Sequence, residues 1–186
     1  METQKKTFIA ELIENRLIVW DPEEGSELYR MGFYGKPVGI PKPKIAKFNT
    51  PLNIDLIEGM YLLENGFISI FQNSKGLEAE EFRKHACSVY EGFELKYLVY
   101  KDLRNRGYIV LPGIKFGCEY AIYEHGPGID HAPYMVSVRS AADFLTSTDI
   151  VRAGRLATSV RKRFIIAIPN PKTSEVRYLM FKWFRA

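Results

Sequence analysis

The stretch YLVYKDLRNRGYIVLPGIKFGCEYAIY, Tyr97–Tyr123, carries the most structural information in the chain. It opens inside a helical pattern, FELKYLVYKDLRNR, that stops at Gly107. A glycine there can take the left-handed conformation that closes a helix. Tyr108–Leu111 (YIVL) then reads as a strand, Pro112-Gly113 as a turn, and Lys115–Glu124 (KFGCEYAIYE) as a second strand.

Working outward toward the C-terminus, His125–Pro133 is a loop rich in Gly and Pro, and Tyr134–Arg139 is a third strand. Asp149–Arg163 reads as a helix capped by Thr148 or Asp149, with Ile150, Ala153, Ala157 and Val160 on its apolar face. Phe164–Ile168 is a strand, Pro169–Glu175 a loop, and Val176–Phe184 a final strand. Helices packed on a mixed sheet make this half an α/β domain.

Toward the N-terminus, Phe8–Asp21 reads as a strand pair turning at Glu14-Asn15, and Glu27–Tyr34 as a short helix closed by Gly35. Asp55–Asn65 reads as a helix stopped by Gly66, and Phe67–Gln72 as a strand. Leu77–Arg106 is mostly helical, and Gly92 breaks it into two helices. These signals divide the chain into an α+β domain over residues 1–92 and an α/β domain over residues 93–186.

The bulk composition fits a folded protein: 186 residues, 46% hydrophobic and 26% charged. No apolar run approaches the roughly 20 residues of a membrane span, and METQKKTFIAEL lacks the apolar centre of a signal peptide. A cytoplasmic protein without a membrane partner is expected. Cys87 and Cys118 have no neighbouring cysteine at metal-ligand spacing and read as reduced thiols. Charge is uneven. From Arg139 onward ten Lys and Arg face three Asp and Glu, a net of +7, whereas the preceding 138 residues carry a net of −3. A polyanion would meet the C-terminal third first.

Two constellations in the C-terminal half could carry chemistry. Arg152, Arg155, Ser159 and Lys162 share one face of the helix before FIIAI. They suit either a phosphate-tracking surface or an ordinary solvated face. His125 and His131 share one loop after a strand. They suit proton transfer, a role-free surface, or a His-His metal site without a clear third ligand. Clustered carboxylates of the kind that hold Mg²⁺ are missing from this half, as is a D…(D/E)-x-K strand pattern, so a nuclease built on it is expected to work without metal or other cofactor.

Tyr97–Tyr123 resembles the signature of archaeal tRNA-intron endonucleases, roughly VYxDLRxRGYxVxxGxKFGxxFxVY. RLATSVRKRFIIAI is similar to the helix and strand around that family's catalytic lysine, and IDLIEGMYLLENG is similar to its N-terminal domain motif. The resemblance implies a restriction-endonuclease-like fold for the C-terminal domain. It also implies a metal-independent tRNA-intron lyase that cuts precursor tRNA at both ends of an intron, in a bulge-helix-bulge, leaving a 2′,3′-cyclic phosphate and a 5′-hydroxyl. Its catalytic tyrosine, histidine and lysine fall on Tyr123, His131 and Lys162, as base, acid and electrostatic stabiliser. The basic pair that holds flipped bulge bases falls on Arg155 and Arg177. Subunits of this length resemble those that form homotetramers through their last strands, aided by an acidic loop; here that loop, NPKTSEV, has Glu175 as its one acid. The alternatives are a non-catalytic structural subunit of such an enzyme, or an RNA-binding module of the same fold.

Overall fold

The computed structural model describes residues 6–41, 43, 45–129, 131–159 and 162–181. Two compact units divide the chain, Met1–Phe93 and Glu94–Ala186.

The first unit is a six-stranded mixed sheet with helices. Its elements are β1 (Phe8–Ile13), β2 (Arg16–Val19), α1 (Pro22–Gly32), β3 (Lys36–Pro37), β4 (Leu52–Ile54), α2 (Leu56–Glu64), β5 (Ile68–Gln72), β6 (Lys75–Leu77) and α3 (Ala79–Val89). The strand order is β3-β4-β2-β1-β5-β6, with β1 and β5 parallel and the other pairs antiparallel. The β1–β2 hairpin turns at Glu14, which takes φ 51°. Along β1, Phe8, Ala10 and Leu12 are buried while Ile9 and Ile13 face outward, the period-two pattern of a sheet covered on one face. α2 starts in a capping box: the Asp55 carboxylate accepts the Ile57 N–H at 3.0 Å, and the Glu58 carboxylate accepts the Asp55 N–H.

One helix begins earlier than the sequence reading placed it. α1 starts at Pro22 rather than Glu27, because the Asp21 carboxylate accepts the N–H groups of Glu23 and Glu24 and proline suits the first helical position. It ends at Phe33, in the left-handed region at φ 57°, and not at Gly35. Gly35 serves a close approach instead: a Cβ there would lie 2.8 Å from the Asn53 carbonyl oxygen.

The second unit contains α4 (Phe93–Asn105), β7 (Ile109–Pro112), a 3₁₀ turn (Ile114–Phe116), β8 (Tyr120–Tyr123), β9 (Tyr134–Val138), α5 (Ser147–Ser159), β10 (Arg163–Pro169) and β11 (Val176–Phe181). The five strands lie in the order β11-β10-β9-β8-β7. β9 and β10 are parallel, which requires the long crossover that α5 supplies; the remaining pairs are antiparallel. α4 is fastened to one side of this sheet. Tyr120 donates its hydroxyl to the Lys96 carbonyl at 2.9 Å, and the buried Arg104 donates to the Val110 carbonyl at 3.2 Å. Asp102 accepts from the Tyr178 hydroxyl at 2.5 Å and from Arg106 at 2.7 Å. α5 buries Ala153 in a separate cluster with Cys118, Ala121, Ala132, Met135, Phe164 and Ile166.

Two readings of this half are corrected. Lys115–Glu119 is not strand: the chain makes a 3₁₀ turn over Ile114–Phe116, closed by Gly117 in the left-handed region (φ 67°), before β8 starts at Tyr120. Alternating Lys115-Phe116 mimicked a strand while the flanking glycines set a turn. α5 begins at Ser147, two residues before the expected start, because Thr146 and Asp149 bond reciprocally: Thr146 donates its N–H to the Asp149 carboxylate at 3.0 Å, and Asp149 donates its N–H to the Thr146 hydroxyl at 3.2 Å. Lys162 lies outside the helix, in the segment that enters β10, so the shared helix face does not reach it. Of the expected apolar face, Ala153 is buried but Ile150 is 53% exposed, and the side chains of Ala157 and Val160 lie outside the described residues, as do those of Arg152 and Ser159. Among the described residues no helix is long and apolar enough to cross a membrane.

The turn before β8 leaves no room at Gly113. A Cβ there would lie 2.6 Å from Cys118 Sγ, and 2.8 and 2.9 Å from the Tyr120 backbone. Gly113→Ala is therefore expected to destabilise the protein by about 1–3 kcal/mol, the usual effect of overpacking. A denaturant midpoint equal to that of the parent would contradict this crowding.

Candidate active site

The ends of three strands build the site. β8 finishes on Tyr123, β9 starts at Tyr134 and β10 starts at Arg163. The register sets Ile122 opposite Tyr134 and Tyr134 beside Arg163. Tyr123 and Lys162 therefore flank Pro133 on its two sides, and His131 lies two residues before Pro133 in the connection. Residues far apart in sequence are carried to one end of one sheet.

Lys162 is fixed there by two contacts. Its ammonium donates to the Ala132 carbonyl at 2.6 Å and sits 5.2 Å from the centre of the Phe116 ring. Ala132 directly follows His131, so the lysine holds down the backbone of the histidine's own segment. A second bond, from the Arg163 N–H to the Pro133 carbonyl at 2.9 Å, continues that attachment. Ala132 belongs to the buried α5-side cluster, and both Phe116 and Tyr123 pack against it. Tyr123 and the support of Lys162 thus share one apolar foundation. Burial lowers the pKa of Lys162 below the ordinary lysine value. His131 is exposed. His125, also exposed, lies in the same connection two residues beyond Tyr123.

The candidate RNA-holding arginines are placed differently. Arg155 is exposed on α5. Arg177 is exposed on β11 and pairs with Ile168, five residues along β10 from Arg163. At roughly 3.3 Å per residue it lies far from the Lys162 end of the same sheet, and within one chain the two arginines are not brought together there. Among the described residues no group of three His, Cys, Asp or Glu side chains could hold a metal ion.

Phe116 was not foreseen as part of the site. With Lys115–Glu124 read as strand, it had no defined neighbour; the turn between Gly113 and Gly117 is what carries it beneath the Lys162 ammonium. The glycine pair in PGIKFG was the available signal.

Comparison with known proteins bears on the whole chain. The model of the tRNA intron endonuclease catalytic C-terminal domain matches residues 93–178, and that of the N-terminal domain of the same family matches residues 8–83. The chain belongs to the tRNA intron endonuclease family. It is 45% identical over 175 residues to the tRNA-splicing endonuclease of Hyperthermus butylicus, covering 94% of this chain and 97% of that protein. It is 40% identical over 179 residues to the tRNA-splicing endonuclease of Sulfurisphaera tokodaii, covering 96% and 99% respectively. That of Saccharolobus islandicus is 38% identical over 174 residues, covering 92% and 96%.

The electrostatics of Lys162 predict a pH profile for RNA cleavage. With its pKa lowered by burial, the ammonium is present at neutral pH and is lost as pH rises through a value below the ordinary 10.5. Cleavage is expected to fall on that alkaline limb. In Lys162→Arg, whose guanidinium stays charged throughout, residual cleavage should lose that limb whatever its absolute rate. Identical alkaline limbs in the two proteins would remove Lys162 from the site.

Proposed function

We propose that this chain is a tRNA-splicing endonuclease that cuts precursor tRNA at intron–exon junctions within a bulge-helix-bulge, leaving a 2′,3′-cyclic phosphate and a 5′-hydroxyl. One observation carries the catalytic assignment: the Lys162–Ala132 tether joins the lysine to the histidine's segment at the strand end that presents Tyr123. The family membership and the similar archaeal splicing endonucleases support the substrate.

The reaction asks little of the protein in bond-making, since the RNA supplies its own nucleophile. Tyr123 takes the proton of the 2′-hydroxyl, and the 2′-oxygen bonds to phosphorus. The bond from phosphorus to the 5′-oxygen breaks, and His131 gives that oxygen a proton. Lys162 meets the negative charge that grows on the phosphoryl oxygens. A tyrosine has a reference pKa near 10 and is a weak base at pH 7, so the proton transfer from the 2′-hydroxyl is the most demanding step assigned to the protein. Arg155 and Arg177 hold bulge nucleotides, with Arg177 acting at a site other than that of its own chain, since it lies at the opposite end of β10. The reading as a non-catalytic subunit is disfavoured because the chain holds all three residue types, on segments that adjoin one sheet end.

The C-terminal unit is assigned to the restriction-endonuclease-like folds, a reading supported by its five-stranded mixed sheet with α4 and α5. Assembly as a homo-oligomer, a tetramer by family resemblance, is proposed through β11. This edge strand exposes Leu179 and Met180, an apolar edge that a second copy would cover. The protein would act in the cytoplasm.

Cleavage in excess EDTA tests the chemistry directly. His131→Ala should slow it by roughly 10²–10⁴-fold, the usual contribution of one positioned proton-transfer group. Replacing the 5′-oxygen at the cut by sulfur, which leaves without a proton, should restore much of the rate to His131→Ala but not to Lys162→Ala. If His125→Ala is the damaging change, or if sulfur rescues neither variant, the acid is misassigned. Loss of all activity in EDTA with recovery in Mg²⁺ would overturn the metal-free mechanism.

Light scattering at micromolar concentration tests assembly. A multiple of the 21.4 kDa chain mass is expected, and a clean monomer would refute the β11 interface.

A further inference from the structure

Lys162 and Arg163 are consecutive, and they leave the start of β10 in opposite directions. Lys162 reaches Phe116 and Ala132 on the α5 side. Arg163 goes to the other face, where its guanidinium sits 5.5 Å from the centre of the Tyr134 ring and donates to the Tyr134 hydroxyl at 3.1 Å. The Tyr134 ring stands edge-on to Tyr108 at 6.4 Å. The result is a cation propped on an aromatic ledge, built from the first residue of β10, the first residue of β9 and the residue before β7.

Several features separate this arrangement from an ordinary solvated arginine. Arg163 is exposed, yet no carboxylate among the described residues pairs with it. Its guanidinium has five N–H donors, of which one is directed at Tyr134. Stacking on a ring restrains the side chain and leaves the remaining donors available, the preorganised state that favours binding a phosphate in two-pronged fashion. The position is fixed relative to the candidate catalytic lysine by a single peptide unit, and an RNA strand crossing this end of the sheet from one face to the other passes both cations in turn.

We propose that Arg163, held by Tyr134 and Tyr108, binds a phosphate of the substrate RNA adjacent to the one that is cut. This rests on the splicing-endonuclease reading, which supplies the substrate. The ledge sets where the RNA backbone turns over the sheet end and therefore which phosphate reaches Lys162. Arg163 is a binding and positioning residue, with no role in proton transfer.

The test uses a bulge-helix-bulge RNA with a 2′-deoxy sugar at the cut, so that binding is measured without cleavage. Each phosphate contact contributes roughly one unit to the slope of log affinity against log salt. Arg163→Ala should lower the magnitude of that slope by about one and weaken binding several-fold, with an unchanged denaturant midpoint. Arg163→Lys should keep the slope while losing part of the affinity. A neutral methylphosphonate placed at one phosphate flanking the cut should bring the parent protein down to Arg163→Ala and cost the variant nothing further. An unchanged slope in Arg163→Ala, or a methylphosphonate penalty equal in both proteins at every flanking position, would overturn the proposal. The cleavable RNA keeps the two claims apart: a parent protein that binds but does not cut it overturns the splicing-endonuclease reading, while the salt slopes still decide Arg163.

Discussion

The parallel pairing of β9 and β10 is the constraint on which the C-terminal unit depends. A parallel pair cannot be closed by a tight turn, so the chain must leave the sheet, cross over it and return. α5 is that crossover, and burying Ala153 against Met135 and Phe164 is what anchors it. The return delivers Lys162 to the same edge from which β9 departed. The bond from its ammonium to the Ala132 carbonyl then closes a link between the entry points of the two strands. An antiparallel arrangement would have put the start of β10 at the opposite end of β9, away from His131. The bonding of a lysine to the residue that follows a histidine thirty-one positions earlier follows from strand direction.

That foundation also explains why the conspicuous PGIKFG sequence precedes β8. Gly113 has no space for a side chain, and Gly117 takes a left-handed conformation. Between them the chain coils tightly enough to put Phe116 under Lys162, where its ring face offers negative quadrupole to a cation that burial otherwise disfavours. A lysine partly removed from water needs such compensation to stay charged. Among the described residues the ring and the carbonyl supply it without a carboxylate, and a carboxylate here would neutralise the charge that a phosphate must meet.

Much of this organisation was legible in the sequence, and the exceptions have physical causes. Gly92 and Gly107 marked helix ends because each takes positive φ, and the strand pattern of β9 and β10 stood out because both are apolar runs bounded by turn residues. The start of α1 was missed because its signal is a capping aspartate followed by proline and two glutamates, which is polar and resembles a loop. The sequence places Lys162 in the helix because basic residues at three- and four-residue spacing continue past the helix end, and spacing carries no information on where hydrogen bonding stops. For the site, residue types and order pointed to Tyr123, His131 and Lys162 only through family resemblance. Composition left the histidines with three readings. The Phe116 support and the Tyr134–Arg163 ledge were invisible, since both depend on which strand lies beside which.

Strand direction and alternation together give this sheet end its particular character. Consecutive residues of a strand face opposite sides, so Lys162 and Arg163 present two cations on two faces within one peptide unit. Each is seated on an aromatic ring, Phe116 or Tyr134, contributed by a different segment. Rings at these positions hold the two cations on separate faces, whereas two free side chains would spread into solvent to reduce their repulsion. A chemistry in which the substrate brings its own nucleophile gains little from reactive protein groups and much from fixing the geometry of a flexible polyanion. A rigid edge that presents ordered positive charge on both of its faces suits that demand, and it arises here from nothing more than the register of three strands and the turn that carries one phenylalanine.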